Sequence, residues 1–206
     1  MASSTIANLK AEFPDASVIF KKLDVTDAVA VDDAPQEVED VFGSIEILLC
    51  FAGITGSIHA LDITPENWRR MLEINTTGAF LCSQAAARSM IKKGNRGSIV
   101  LMASISGHVT NYPQPHVHYN ASKAALISMK SSLAAEWARY GISYMDTVLN
   151  EDDHLESLRE AWAKRTPYGR MGQPDELTGA IILLVSKAGS YITGADIVVD
   201  GGLTVF

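Results

Sequence analysis

Ile45-Glu46-Ile47-Leu48-Leu49-Cys50-Phe51 is a near-continuous apolar run, the pattern of a parallel strand buried on both faces. Gly97-Ser98-Ile99-Val100-Leu101-Met102-Ala103 repeats it further along the chain. Between the two stands a helix start, Thr64-Pro65-Glu66: a capping hydroxyl, a proline at the first helical position and an acid at the positive helix end. That helix is expected to run to about Lys92, with an irregularity near Gly78. Upstream, Ala7 to Phe13 reads as a helix and Val18 to Val25 as a strand. Downstream, Tyr119 to Arg139, Glu151 to Lys164 and Pro174 to Ser186 read as helices, and Asp196 to Val199 as a short last strand. Strands that alternate with helices imply an α/β fold, a doubly wound parallel sheet with helices on both faces.

One place breaks the alternation. After the helix ending near Tyr140 a strand is due, and only Gly141-Ile142-Ser143-Tyr144-Met145 is available. That looks too short for a buried strand with its connections, so an internal strand is expected to be absent. No repeat, low-complexity tract or linker divides the chain, and residues 1–206 are expected to form one incomplete domain.

Composition excludes several classes of function. Apolar residues make up 47% and charged residues 20%, as in ordinary soluble domains. The net charge is -7 and no block of Lys and Arg occurs, which argues against nucleic acid or an anionic membrane as partner. No apolar run is long enough for a bilayer. The opening Met1-Ala2-Ser3-Ser4-Thr5 has neither the basic flank nor the apolar core of a signal peptide, so a cytoplasmic location is the default expectation. Cys50 and Cys82 lie in apolar segments and read as buried free thiols.

The residues that carry chemistry lie around the second strand. Tyr119 and Lys123 stand one helical turn apart on one face. An ammonium beside a phenol favours phenolate and lowers the tyrosine pKa from about 10, so such a tyrosine can exchange a proton near neutral pH. Alone, the pair reads equally as a solvated helix face. Ser104 follows the strand ending at Ala103, at the carboxyl edge of the sheet where open α/β sheets bind ligands. Its competitor Ser106 reads as a plain turn hydroxyl. Asn75 lies inside a helix although asparagine is a poor helix former; an idle, exposed side chain is the plainer reading of that residue by itself. His116 and His118, with His108 in the same loop, have no Asp, Glu or Cys nearby, and no metal is expected there.

Taken together, Ser104-Ile105-Ser106-Gly107 and Tyr119-Asn120-Ala121-Ser122-Lys123-Ala124-Ala125 resemble the active-site block of the classical short-chain dehydrogenases/reductases. Ile74-Asn75-Thr76-Thr77-Gly78 is similar to their asparagine-bearing helix, and Leu23-Asp24-Val25-Thr26-Asp27 to the segment whose Asp meets adenine. Gly169 to Pro174 and Ile192 to Gly202 match the C-terminal signatures. The nearest look is to fungal polyol and sugar-alcohol dehydrogenases. The resemblance implies a Rossmann-like fold and oxidoreduction of a secondary alcohol and a ketone, polyol or ketose. NADP(H) is expected ahead of NAD(H) as cofactor, and a homo-oligomer as the assembly. By resemblance, Tyr119 is the general acid/base, Lys123 lowers its pKa and binds the nicotinamide ribose, Ser104 orients the substrate oxygen, and Asn75 holds a water in a proton relay. Asp24, Ala52, Gly53, Asn75, Tyr119, Lys123 and Thr147 are the implied cofactor contacts.

Three departures stand against this. The family's opening strand, Gly-rich turn and helix, a unit of roughly 30 residues or more, has no counterpart, so the fold is expected to be truncated at the N-terminus. Phe51-Ala52-Gly53 replaces the family's Asn-Ala-Gly. The strand and Pro-Gly turn that precede the family's threonine, matched here by Thr147, are missing. The residues therefore leave three readings: an active dehydrogenase, a non-catalytic relic that acts through subunit association, and a cofactor-independent isomerase or lyase using Tyr119 and Lys123. Family likeness favours the first and the missing phosphate-binding turn the second. Titration calorimetry of the 206-residue chain with NADPH and NADH is expected to give affinities weaker than about 1 mM. Micromolar binding would overturn this.

Overall fold

In a computed structural model the chain is described over residues 2–148 and 156–205, with side chains over 4–147 and 160–205. The elements, in order, are α1 (Ala2–Glu12), α2 (Ala28–Phe42), β1 (Ile47–Cys50), α3 (Pro65–Leu72), a π-helical turn (Glu73–Thr77), α4 (Gly78–Lys93), β2 (Gly97–Met102), α5 (Val117–Trp137), β3 (Ile142–Val148), α6 (Glu156–Arg165), α7 (Thr178–Val185) and β4 (Asp196–Val198). The four strands pair in chain order, all parallel. Helices α4 and α5 cover one face through Cys50, Ile99, Leu101, Ile142 and Tyr144. The opposite face, Val100 and Met145, packs against Leu184 of α7. This is the doubly wound arrangement that the alternation implies.

Local chemistry sets the boundaries. Thr64 caps α3, its hydroxyl accepting from the Asn67 N–H at 3.2 Å. Asp27 caps α2 through the N–H groups of Val29 and Ala30. The irregularity expected near Gly78 is the π-helical turn just before it. The helix expected over Pro174–Ser186 opens as a 3-10 turn (Pro174–Leu177) before α7. The start expected at Glu151 for α6 lies outside the described residues.

Two expectations fail. The strand expected to be absent is present: β3 is seven residues long and pairs with both β2 and β4. A 3-10 turn at Ala138–Tyr140 and left-handed Gly141, at φ 73°, bring the chain from α5 straight into it. The reading stopped at Met145 because Asp146 and Thr147 do not look like buried strand residues. Partners on the neighbouring elements make them so. Tyr144 Oη lies 2.9 Å from Ser83 Oγ, Lys130 reaches Asp146, and the Thr147 hydroxyl donates to Ile197 O at 3.4 Å.

The second failure is Val18–Val25, which is not a strand. Among the described residues no strand lies beside it, and an isolated extended run has no ladder to join. The outer edge of β1 is unpaired for the same reason, and Ile47, Leu49 and Phe51 are exposed along it. The alanines of α4 and α5 divide. Ala85, Ala86 and Ala87 are buried inside the chain, whereas Ala124 and Ala135 are exposed on α5.

Gly78 joins the start of α4 to the segment preceding α2. A Cβ there would lie 2.6 Å from Val25 Cγ2 and 3.1 Å from Val25 O. Glycine to alanine inside a helix ordinarily gains about 1 kcal/mol. Here overpacking against a backbone oxygen outweighs it, at about 1–3 kcal/mol. Gly78→Ala is therefore expected to lower stability in urea unfolding; a stabilised variant would show that Val25 does not seat on α4.

Candidate active site

The carboxyl ends of β1 and β2 and the first turns of α5 converge on one place. After β1 the chain is open at Ala52 and Gly53. A Cβ on Gly53 would lie 3.2 Å from Asn75 Oδ1 and 3.8 Å from Lys123 Nζ, so this bare backbone borders both side chains.

Asn75 is 1% exposed, which rules out the idle surface reading. The π-helical turn carries it inward, and its amide clamps the loop after β1. Oδ1 accepts from Ile54 N–H and Nδ2 donates to Ile54 O, both at 2.8 Å. Nδ2 also donates to Ser122 Oγ at 3.0 Å, and Ser122 Oγ donates to Tyr119 O at 2.8 Å. Ser122 is thus the link between Asn75 and the helix that carries Tyr119. The reading missed it, although it sits inside the quoted motif, because a serine on a helix gives no sign of its partner.

Lys123 is buried, and its ammonium donates to Met102 O at 2.7 Å, the last carbonyl of β2. Burial pulls its pKa down to about 8. The ammonium lies 5.7 Å from the centre of the Tyr119 ring, and the His116 ring stacks on that ring at 5.1 Å. Ser104 is buried one residue beyond Ala103 and opens a 3-10 turn (Ile105–Gly107), accepting from Ser106 N–H at 3.1 Å. Ser106 therefore shapes the turn through its backbone. The turn presses onto α5: a Cβ on Gly107 would lie 3.0 Å from both Ala124 N and Lys123 C. Gly53, Asn75, Ser104, Tyr119 and Lys123 are accordingly neighbours in one site.

Two further implied contacts have partners of their own within the chain. Asp24 is exposed, and the Thr26 N–H and hydroxyl bind its Oδ1 at 2.9 and 2.8 Å, which hold its pKa below the usual carboxylate value. Thr147 is wholly buried in β3 with its hydroxyl on Ile197 O, inside the sheet rather than in a loop after a strand. The C-terminal signatures act as clamps. Arg170 holds Glu176 with two bonds of 2.7 Å, and Asp200 accepts from Gly202 and Thr204 N–H. His118 is buried, and among the described residues no group of three His, Cys, Asp or Glu is placed to hold a metal. No described helix is long and apolar enough to cross a membrane.

The donor set suits the nicotinamide end of a dinucleotide. An ammonium, a phenol and a bare glycine backbone lie together at the sheet's carboxyl edge, where a ribose diol and a flat ring need them. Asn75→Ala would leave Ile54 N–H and O and the Ser122 hydroxyl without their partner, a loss of about 2–4 kcal/mol. Asn75→Asp, which accepts but cannot donate, is not expected to restore it. Equal stability of both variants to the parent would refute this clamp.

Comparison with known proteins places the chain among relatives. Residues 1–204 match the family described as "Enoyl-(Acyl carrier protein) reductase". The chain is 43% identical over 192 residues to galactitol 2-dehydrogenase of Rhizobium johnstonii, covering 88% of this chain and 74% of that protein. It is 39% identical over 189 residues to NADP-dependent mannitol dehydrogenase of Hypocrea jecorina, covering 89% and 70%. The crystal structure of a short-chain type dehydrogenase/reductase from Mycobacterium marinum superimposes with a TM-score of 0.95 at 36% identity, over 98% of this chain and 82% of that one. On sequence and fold, the chain belongs to the short-chain dehydrogenase/reductase family.

Proposed function

We propose that the chain interconverts a secondary alcohol and a ketone, with a polyol or ketose as substrate and NADP(H) ahead of NAD(H) as cofactor. The observation that carries this reading is the convergence of Gly53, Asn75, Ser104, Tyr119 and Lys123 at one sheet edge. The polyol class follows the named activities of its relatives, galactitol and mannitol dehydrogenases, one of them named as NADP-dependent.

In this reading the nicotinamide supplies or accepts the hydride when bound. The chain's own residues handle the proton and the geometry. Tyr119 Oη gives a proton to the carbonyl oxygen in reduction and takes it from the hydroxyl in oxidation. Lys123, fixed on Met102 O, keeps positive charge near that phenol and would bind the nicotinamide ribose. Ser104 donates to the reacting oxygen. Asn75 holds the backbone at Ile54, so the floor beside Gly53 does not move. Exposed Ala124 and Ala135 on α5 offer a close approach to a second copy, and association as a homo-oligomer belongs to the same proposal.

The test is turnover of ketoses at millimolar NADPH, and of galactitol or mannitol with NADP+. Tyr119→Phe is expected to reduce the rate by about a hundredfold or more. Ser104→Ala is expected to reduce it less while leaving cofactor binding unchanged. Turnover that survives in Tyr119→Phe would remove the proposed acid/base.

A further inference from the structure

A chain of charged and titratable side chains links α5 to the Ser104 turn. Lys130, on α5 two turns beyond Lys123, is 4% exposed. Its ammonium lies 3.4 Å from Asp146 Oδ1 on β3 and 3.8 Å from Asp196 Oδ2 on β4. The same Asp196 oxygen lies 2.7 Å from His108 Nε2. His108 is the residue that closes the turn opened by Ser104, its own N–H donating to Ile105 O at 2.8 Å. The turn is therefore gripped twice by α5: directly, where Gly107 meets the backbone of Lys123 and Ala124, and indirectly, through His108, Asp196 and Lys130.

We propose that His108, Asp196 and Lys130 form a tether that sets the position of Ser104 against the helix bearing Tyr119 and Lys123, with Asp146 as its proton-dependent latch. These are positioning residues. Their importance for turnover rests on the reading of Ser104 given above; the tether itself does not.

The latch follows from charge balance. Two carboxyl groups face one lysine. Asp146 Oδ2 and Asp196 Oδ1 are both buried without a hydrogen-bond partner. A proton on Asp146 would let it donate to Asp196, leaving Lys130 and ionised Asp196 as a matched pair. Burial first, then the hydrogen bond and charge of Asp196, push Asp146 up to about 8 against the pull of Lys130. The charged and titratable groups that meet here are Asp146 and Tyr144 on β3, Lys130 on α5, Asp196 on β4 and His108 after the turn. Because the folded value of Asp146 lies above the unfolded one, the stability it contributes is full at low pH and is lost as pH rises through about 8. Above that, a second anion competes for Lys130 and repels Asp196, and the tether slackens.

Hydrogen–deuterium exchange of the full chain, expressed as protection factors, tests this without turnover. His108→Ala is expected to lower protection of amides 106–109 by about tenfold, while β2 and β3 change by less than about twofold. His108→Gln, whose amide can still donate to Asp196, should restore most of it. In the parent chain, turn protection should fall between about pH 7 and about pH 9, and Asp146→Asn, neutral throughout, should abolish that fall. An unchanged turn in His108→Ala, or a loss spread evenly through the sheet, would overturn the tether. A parent turn indifferent to pH would overturn the latch. Absence of turnover would count against the proposed reaction and leave these exchange results untouched.

Discussion

The ammonium of Lys123 has to be buried and has to be satisfied, and one carbonyl at the end of β2 does most of that. Burying a cation without partners is costly enough to neutralise it or expel it. The 2.7 Å bond to Met102 O therefore fixes how far α5 stands from the sheet at its carboxyl edge. Everything near the site is measured from that anchor. Tyr119 lies one turn earlier on the same helix, Ser122 lies beside it and passes the constraint to Asn75, and Asn75 passes it to Ile54. The Ser104 turn, which leaves β2 two residues beyond Met102, comes back against the same helix backbone. A single charged contact thus sets the spacing of groups drawn from β1, the π-helical turn, β2 and α5.

The architecture was legible where the core is apolar on a simple period. Gly97–Met102 is a run that only a sheet covered on both faces can bury, and it fell where expected; Ile47–Cys50 is a strand as expected, but Ile47 and Leu49 are exposed on it. The placing of Ser104, Tyr119 and Lys123 was legible because they are spaced by local geometry, a strand end and one helical turn. What stayed hidden depends on contacts distant in sequence. Nothing around Asp146 announces that Lys130 and Asp196 will meet it, so the strand through it looked impossible. Val18–Val25 has strand composition, but a strand is a property of a pair, and no partner stands beside it among the described residues. Asn75 looked idle because its partners, Ile54 and Ser122, lie 21 and 47 residues away.

The wholly buried polar side chains of the sheet gather on β3 among the described residues. β2 is apolar through its middle, Ile99, Val100 and Leu101 all being wholly buried. β3 beside it carries Tyr144, Asp146 and Thr147 at the same depth. Each of these has found a hydrogen-bonding group on a neighbouring element, which keeps the strand in register but leaves it dependent on those neighbours. A parallel strand of this kind is specified from outside itself, by α4, α5 and β4, more than by its own side chains.

The widened turn at Glu73–Thr77 has a geometric effect on the whole of the long helical segment from Pro65 to Lys93. Met71, Asn75, Ala79 and Ser83 are all buried, in three successive steps of four residues. On an unbroken α-helix each such step advances about 400°, so the column would creep round the axis by about 120° over three steps. One extra residue in a single turn takes back about 100° of that creep. The four inward positions therefore stay in line, and a sulfur, an amide, a methyl and a hydroxyl face the same side of the molecule in sequence. The segment works as two helices joined in phase, one seated against α5 and the other against the sheet, and the amide that clamps Ile54 sits at the joint between them.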